Sequence, residues 1–337
     1  MQHYHIRYGY IEIVYKMTQH FLLSSKARTL SLAQVMRMTD SEAFDLFVAL
    51  RFAENSGKPY CPKCGGLDVY RYASRPIFKC KGCSAQFSAT SGTVFASRKL
   101  AIKDILAAVA IFANGAKGHS ALQLSRDIDC QYRTAYVLAH KLRESMTAET
   151  KDVTLSGTVE IDGAYFGGHV KPANYKDDRI DRRLSENRTG KRRCVVVMRE
   201  RGGRTITTVG NSELAAVPTV MARVAPGTVI HADEATSWDG LQAHYEMRRI
   251  NHSVCYSDGM ACTNGAESFF SRLRRAELGT HHSIRKAYLG AYAAEMAWRE
   301  DHRRESNGAQ FIGIAKSAAQ SPVSRQWKGY WQRHLPK

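Results

Sequence analysis

The sequence predicts a mixed α/β protein whose parts follow one another along the chain. Two CxxC pairs lie between Cys61 and Cys83, and helical periodicity follows from about Ile102 to Met146. From Gly157 onward, short β-branched runs alternate with helical stretches. A change from a period near 3.6 residues to a period of about 2 marks the start of a sheet-containing domain. At 337 residues, the chain is long enough for two or three domains with hydrophobic cores.

Changes of pattern and composition set the expected boundaries. The expected parts are an N-terminal helical segment with Met17 as an alternative start (1–54), a cysteine-rich ribbon (55–98), a helix-turn-helix-like segment (99–150), a sheet-containing domain (151–305) and a C-terminal tail (306–337). Within the sheet-containing part, we predict strands near 157–166, 192–199, 204–210, 227–232 and 249–256, and helices near 212–223, 237–246, 264–277 and 285–302. The stretch 171–193 has nine basic and four acidic residues, so we expect a solvated loop.

The chain carries a large excess of positive charge. Its 49 Lys and Arg residues against 31 Asp and Glu residues give a formal net charge of +18 at pH 7 and a pI of about 9.6. Such an excess favours binding to a polyanion, although basic proteins also bind membrane surfaces. The longest apolar stretch, Ile105 to Ala113, is too short to span a bilayer, and the N-terminus lacks a secretory pattern. We therefore expect a cytoplasmic, nucleoid-associated protein that works on nucleic acid.

Four cysteines form two pairs that are typical of a metal site. Cys61 and Cys64 enclose one knuckle, Cys80 and Cys83 enclose the other, and fifteen residues separate the pairs. Four thiolates at this spacing suit a tetrahedral structural Zn²⁺ site in a ribbon. The alternatives are redox-active or unliganded cysteines, and a catalytic zinc, which four protein sulfurs would leave without an open position. The scattered cysteines, which we interpret as small apolar residues, are Cys130, Cys194, Cys255 and Cys262.

The segment after the ribbon is typical of two helices joined by a short turn. Ala121 and Leu124 begin one apolar face, Ile128 marks the turn, and Leu138 and Leu142 continue on a second helix. A helix-turn-helix places the N-terminal residues of its second helix in the DNA major groove. Helical hairpins are also common as plain packing units, so the pattern alone leaves both interpretations open. The residues that would face bases or phosphates are Gln131, Tyr132, Arg133 and Thr134.

Three acidic residues stand in distinctive local settings. Asp162 in VEIDGAYFGG and Asp233 in GTVIHADEATSW follow short β-branched runs, and Glu267 in TNGAESFFSRLRR begins a helical stretch. Carboxylates from two strands and a helix can hold two divalent cations, which in phosphodiester chemistry activate the attacking oxygen and stabilise the leaving one. Arg274 shares a helical face with Glu267, where it suits either a phosphate or an ordinary surface ion pair. Acidic residues after strands are also common as turn formers and helix caps, but an unpaired carboxylate among apolar neighbours, as at Asp162, is costly.

The order of these motifs resembles that of a known family of bacterial enzymes. A CxxC…CxxC ribbon, a helix-turn-helix and then EIDGAYFGG, IHADEATSW and TNGAESFFSRLRR are similar to the insertion-sequence transposases of the DDE superfamily. More narrowly, the chain resembles the subgroup with an N-terminal zinc ribbon and an RNase H-like catalytic domain of mixed sheet. The resemblance extends from about residue 30 to residue 305. One position departs from it, because Cys262 stands where the family pattern has His, and this argues against a catalytic role for that position.

The resemblance implies a metal-dependent DNA transposase. Asp162, Asp233 and Glu267 would bind Mg²⁺ or Mn²⁺, Arg274 would neutralise a phosphate, and Asn264 would form a hydrogen bond with DNA. The implied reaction is hydrolysis at the transposon end, followed by joining of the freed 3′-hydroxyl to target DNA. The implied partners are double-stranded DNA, at the terminal inverted repeats and at the target, and further copies of the same chain.

Three other functions remain open from the sequence. The first is a DNA-binding regulator that has lost catalysis, which the three intact carboxylates disfavour. The second is an RNase H-like nuclease that cuts without joining, and only a strand-transfer assay separates it from a transposase. The third is a zinc-dependent hydrolase that uses its cysteines in catalysis, which the lack of an open zinc position disfavours.

Overall fold

The computed structural model describes most of the chain between residues 20 and 333. The described residues are 7–8, 11–12, 20–167, 173–180, 187, 190, 192–250, 257–258 and 261–333. The helices are α1 (Leu32–Arg37), α2 (Asp40–Arg51), α3 (Ile102–Asn114), α4 (Ala121–Asp127), α5 (Tyr132–Ala148), α6 (Val217–Arg223), α7 (Asn264–Arg275), α8 (Leu289–Asp301), α9 (Asn307–Gln320) and α10 (Tyr330–Arg333). The strands are β1 (Arg7–Tyr8), β2 (Ile11–Glu12), β3 (Val69–Arg71), β4 (Ile77–Cys80), β5 (Gln86–Ser88), β6 (Thr158–Phe166), β7 (Arg193–Glu200), β8 (Thr205–Gly210), β9 (Val229–Asp233), β10 (Glu246–Ile250), β11 (Ser257–Asp258) and β12 (Ala261–Cys262).

Strands β3, β4 and β5 form a small antiparallel sheet that packs on α2. Helix α2 begins at a capping box, in which Thr39 and Glu42 satisfy each other's backbone N–H groups. The ring of Phe78 on β4 stacks between Phe44 of α2, at 6.1 Å, and Phe87 of β5, at 5.4 Å, and all three rings are buried. The ribbon therefore shares a hydrophobic core with the first helices.

Helix α3 is the centre of the helical part. Its sequence, IKDILAAVAIFAN, is apolar on almost every face, and residues such as Leu106, Val109 and Phe112 are buried. A helix that is apolar all round has to be covered on every side, and α1, α2 and α9 pack against it. Within the part of the chain that the structure describes, this helix and all others are too short or too polar to cross a membrane.

The segment expected as a C-terminal tail contains a buried helix, α9. The side chain of Ser306 caps its first turn, and Phe311, Ile314 and Ala318 lie buried against α2, α3 and α5. These positions recur at the spacing of one helical face, and the face closes the core of the N-terminal helices. The two ends of the chain are thus joined in one helical core.

The sheet after α5 has the strand order β10-β9-β6-β7-β8. Strand β7 is antiparallel to its neighbours β6 and β8, whereas β9 runs parallel to β6, and β10 runs parallel to β9. Helices α7 and α8 cover one face, where Val195 and Val197 meet Phe269 of α7. Helix α6 and the 3₁₀ turn at Thr236–Ala243 cover the other face. Successive side chains of β7 point to opposite faces of the sheet and therefore contribute to both hydrophobic clusters.

Most predicted elements of this part appear within a few residues of their expected bounds. The predicted helix near 237–246 is the 3₁₀ turn Thr236–Ala243, because Asp233 and Gly240 interrupt regular helix formation there. The strand predicted near 249–256 is β10, which begins earlier, and residues 251–256 lie outside the described residues. Much of the basic stretch 171–193 also lies outside them.

A buried ion cluster joins the helical part to the sheet. Glu295 of α8 accepts hydrogen bonds from Arg143 of α5 at 2.6 Å and from Arg299 at 2.9 Å, and its side chain is fully buried. Burial by itself would raise the pKa of Glu295, but the two guanidinium groups outweigh it and hold the pKa at about 2. The cluster fixes α5 relative to α8 and to the sheet beneath α8.

Candidate active site and zinc site

The four ribbon cysteines converge on one point. The Sγ atoms of Cys61 and Cys83 are 3.6 Å apart, as are those of Cys64 and Cys80, and all four lie within 4.8 Å of one another. A tetrahedral ion with metal–sulfur bonds of about 2.3 Å places its sulfurs about 3.8 Å apart, so the donor set fits Zn²⁺. A Cβ at Gly66 would lie 3.3 Å from Cys64 Sγ, and the small residue therefore leaves room for the thiolates.

Two of the acidic residues lie on neighbouring parallel strands, just beyond the last paired residues. The register pairs Glu160 of β6 with His231 of β9, and Asp162 and Asp233 each follow two residues later on the same face of their strands. Glu267 lies in the first turn of α7 and lines a cavity of about 510 Å³ together with Asp162. The fold therefore brings the three predicted carboxylates to one region.

The electrostatics of Asp162 are those of a crowded anionic site. Burial raises the pKa of Asp162 to about 7, and the charges of Asp233, Glu213 and Glu267 act in the same direction, against the N–H of Gly163. Among the described residues, the four cysteines are the group whose ligand atoms all lie within 4.8 Å, and the carboxylates are spaced more widely. A bound cation would relieve their mutual repulsion.

Asp233 also organises the turn that follows it. Its Oδ1 accepts hydrogen bonds from the backbone N–H of Ala235 at 3.2 Å and from Nε1 of Trp238 at 3.1 Å. The Trp238 ring is fully buried, so these bonds fix the aspartate to the core. Asp233 thus stabilises a turn, as the sequence allowed, and also lies at the anionic site.

Glu213 is a fourth carboxylate that sequence reasoning missed. It lies just after β8, and its Cγ occupies the space beside Gly163, where a Cβ would come within 2.3 Å. Burial raises the pKa of Glu213, and Asp233 raises it further. Gly210, Asn211 and Ser212 separate Glu213 from the apolar residues of β8, so the local sequence is that of an ordinary turn and gives no signal for a place at the site.

Two family models match the chain. The ISXO2-like transposase domain matches residues 154–301, and the transposase zinc-ribbon domain matches residues 38–86. These matches identify a transposase domain and a transposase zinc ribbon within the chain, as the resemblance implied. The chain is also 26% identical over 272 residues to a Halobacterium salinarum protein described as an uncharacterized protein in transposable element ISH50, and the match covers 77% of this chain and 91% of that one.

The matched ranges agree with the architecture of the protein. The zinc-ribbon match begins just before α2 and ends in β5. It therefore covers the helix and the small sheet that contains the four cysteines. The transposase-domain match begins just before β6 and ends with α8, and it contains all three acidic residues. The mixed sheet confirms the α/β, RNase H-like fold class expected from the sequence. The two transposase domains also imply that the protein binds DNA.

Glu160 connects the strand of Asp162 to the helix of Glu267. Its Oε2 accepts hydrogen bonds from the backbone N–H groups of Gly265 at 2.7 Å and of Ala266 at 3.2 Å, at the N-terminus of α7. A carboxylate is favoured there because the first N–H groups of a helix lack intrahelical partners. A Cβ at Gly265 would lie 2.7 Å from Glu160 Oε2, so this glycine permits the contact.

His231 of β9 also contacts the segment just before α7. The Nδ1 of His231 accepts a hydrogen bond from the N–H of Cys262 at 3.2 Å, while Arg201 donates to the carbonyl of Cys262 at 3.0 Å and to Glu160 Oε1 at 2.9 Å. Burial lowers the pKa of His231, and Arg201 lowers it further, consistent with a neutral acceptor ring. Cys262 thus lies in the scaffold behind the carboxylates.

The remaining predicted site residues lie in two places. Asn264 is the exposed first residue of α7, and Arg274 is exposed on the cavity, 5.9 Å from the centroid of the Phe166 ring. The four predicted DNA-reading residues are exposed at the start of α5, away from the carboxylates: Gln131, Tyr132, Arg133 and Thr134. The guanidinium of Arg133 lies 5.2 Å from the centroid of the Trp331 ring, which belongs to α10.

Proposed function

We propose that the protein cleaves DNA at the ends of an insertion sequence and joins the freed 3′ ends to target DNA, in a metal-dependent reaction. The observation that carries the proposal is the meeting of Asp162, Asp233 and Glu267 from two adjacent parallel strands and the first turn of a helix. The match to a transposase domain supports the same chemistry. A DNA-binding regulator would have no need of an anionic centre in an otherwise basic protein.

In this proposal, Asp162, Asp233 and Glu267 hold Mg²⁺ or Mn²⁺ through hard oxygen donors. The bound cations would activate the attacking oxygen and stabilise the leaving one. The raised pKa of Asp162 supports this assignment, because a carboxylate crowded by like charges gains most from a cation. Glu213, beside Gly163, adds negative charge to the same region.

We assign DNA binding to two further groups of residues. Arg274, on the wall of the cavity that contains Asp162 and Glu267, would neutralise a phosphate, and Asn264 would form a hydrogen bond with the same strand. The exposed start of α5, from Gln131 to Thr134, would contact the terminal inverted repeat. Pairing of two transposon ends would require self-association of the protein. The ribbon would hold a structural Zn²⁺.

The test is cleavage and strand transfer on a labelled duplex that carries the terminal inverted repeat of the element. With Mg²⁺, the wild-type protein is expected to release a 3′-hydroxyl at the repeat and to join it to a second duplex, whereas EDTA should stop both steps and a scrambled repeat should not be cut. Cleavage without joining would favour the nuclease. Tight binding without cleavage would favour the DNA-binding regulator and refute our proposal.

The contact between Glu160 and α7 gives a separate prediction. Replacing Glu160 with Gln, or Gly265 with Ala, is expected to lower the cleavage rate about 10- to 100-fold, as is typical when a group that orients a metal ligand is lost. The physical reason is that α7, and with it Glu267, would shift relative to β6. The measurement is the cleavage rate as a function of Mg²⁺ concentration, whose midpoint should rise.

The control for this prediction is Glu246→Gln, which removes an exposed carboxylate from β10. This variant should cleave like the wild type. If Glu160→Gln bound DNA and Mg²⁺ as the wild type does and cleaved at the same rate, Glu160 would have no positioning role. A loss of thermal stability with an unchanged Mg²⁺ midpoint would assign it a purely structural one.

A further inference from the structure

A cleft of about 680 Å³ lies away from the carboxylates. It is bounded by the first turns of α5, the π-helical turn Ala276–His281 that continues α7, the beginning of α8, and α10. Six aromatic rings line it: Tyr132, Tyr136, Tyr288, Tyr292, Tyr330 and Trp331. Its volume falls in the range of about 300–1,000 Å³ that is usual for pockets that bind small molecules.

The rings of the cleft differ in burial from the rings beneath them. His140 stacks on Trp327 at 4.1 Å, and Trp327 is buried, so this pair is part of the core. Tyr132 is 46% exposed at the opening of the cleft, 5.9 Å from Tyr136, and Tyr136 lies 5.9 Å from Trp331. The cleft thus has a fixed aromatic floor and accessible aromatic sides.

The positive charge at the edge of the cleft indicates which kind of ligand it can bind. Arg285 and His282 line it and are exposed, and Arg133 lies against Trp331 at its edge. Among the described residues that line the cleft, none is a carboxylate. Aromatic faces with cations at the edge suit a flat ring that carries a phosphate, which is the composition of a nucleotide. An apolar peptide would contact the aromatic faces but would make no use of the positive charge at the edge.

The position of the cleft relates it to the proposed DNA path. Its walls belong to α5, which we assign to DNA binding, and to the continuation of α7, which carries Glu267. His281 follows Glu267 by fourteen residues, a rise of about 20 Å at roughly 1.5 Å per residue. At about 3.4 Å per base pair, this is about six base pairs of duplex. A duplex bound at both places would pass the cleft.

We propose that the cleft binds one unstacked base of the transposon-end DNA, about six base pairs from the scissile phosphate. The proposal rests on the proposed function. The base would stack on Tyr132 and the ring of Trp331, and Arg285 would neutralise the adjoining phosphate. Stacking on aromatic side chains offsets the cost of removing a base from the duplex, and the distortion would help to define the transposon end.

The test is photocrosslinking of terminal-repeat duplexes in which 5-iodouracil replaces one thymine at a time. The expected result is a crosslink at one position, mapped by mass spectrometry to the peptide around Tyr132 or to α10. Tyr132→Ala should lower its yield at least about tenfold, whereas Tyr132→Phe, which keeps the ring, should retain it. Tyr70→Ala, an exposed tyrosine of the ribbon, is the matched control. Permanganate should oxidise a thymine at the same position in complexes of Tyr132→Ala more than in complexes of the wild type, where the base is covered.

DNA binding and cleavage are measured on the same samples, which separates the two proposals. If the protein bound and cleaved the repeat but crosslinked only outside the cleft, the base-binding site would be refuted and the proposed function would stand. If the protein neither bound nor cleaved the repeat, both would fail. A cleft-specific crosslink that survived Tyr132→Ala and Trp331→Ala unchanged would also refute stacking on these rings.

Discussion

Replacement of Asp162, Asp233 or Glu267 by its amide is expected to lower the rate of DNA cleavage by about 10³-fold or more, with DNA binding preserved. An amide keeps the volume and the hydrogen-bonding oxygen of the side chain but removes the charge that holds a divalent cation. A cation that stabilises the reacting oxygens contributes several kcal/mol to the transition state, and about 4 kcal/mol corresponds to this factor. The measurement is single-turnover cleavage of the terminal-repeat duplex at saturating protein.

The same variants should fold as well as the wild type. For Asp162→Asn, we expect equal or higher thermal stability in EDTA, since the amide removes a buried charge that Asp233, Glu213 and Glu267 repel. A residue whose charge costs stability and supports activity is typical of a functional site. The control is Glu234→Gln, which changes an exposed neighbour of Asp233. Variants that cleave as fast as the wild type would show that the site has been assigned to the wrong residues.

Removal of zinc is expected to have the largest effect on stability. Structural Zn²⁺ contributes on the order of 10 kcal/mol or more in small zinc-binding units. Cys61 and Cys80 are fully buried, and their Sγ atoms lie 3.6 Å from those of Cys83 and Cys64, respectively, so loss of either removes a ligand from inside the fold. Because Phe78 of β4 stacks on Phe44 of α2, loss of the ribbon would also expose the core of the first helices. We therefore expect Cys61→Ser and Cys80→Ser to lose the folded ribbon and to destabilise the N-terminal helices.

The measurement combines zinc content with thermal unfolding. The wild-type protein should contain about one zinc ion per chain, and a strong chelator should lower its unfolding temperature as the metal is released. Cys130→Ser, which alters a thiol outside the ribbon, should keep both the zinc and the stability. A zinc-free protein with the same unfolding temperature would contradict a structural zinc site.

Local sequence determined the features that depend on near neighbours. The knuckle of Cys61 and Cys64 needs four residues and a turn. The polar–apolar alternation of β6 has a period of two residues, and the continuous apolar run of β7 is typical of a strand buried on both faces. The start of α7 was predicted at residue 264 and is observed there. The family resemblance rests on these local motifs, and the matches to the zinc-ribbon and transposase domains confirm it. The metal-binding roles of the three carboxylates stay a prediction.

Only the tertiary structure decided which distant residues support the site. Glu160 and Gly265 are 105 residues apart in sequence, and Arg143 and Glu295 are 152 apart, yet both pairs are in hydrogen-bonding contact. Glu213 gives no local signal, and its place beside Gly163 follows from the packing of β8 on β7. Periodicity and turn chemistry act over a few residues and so can be read along the chain. Which buried groups satisfy one another depends on the packing of whole elements, and that is decided only when the chain has folded.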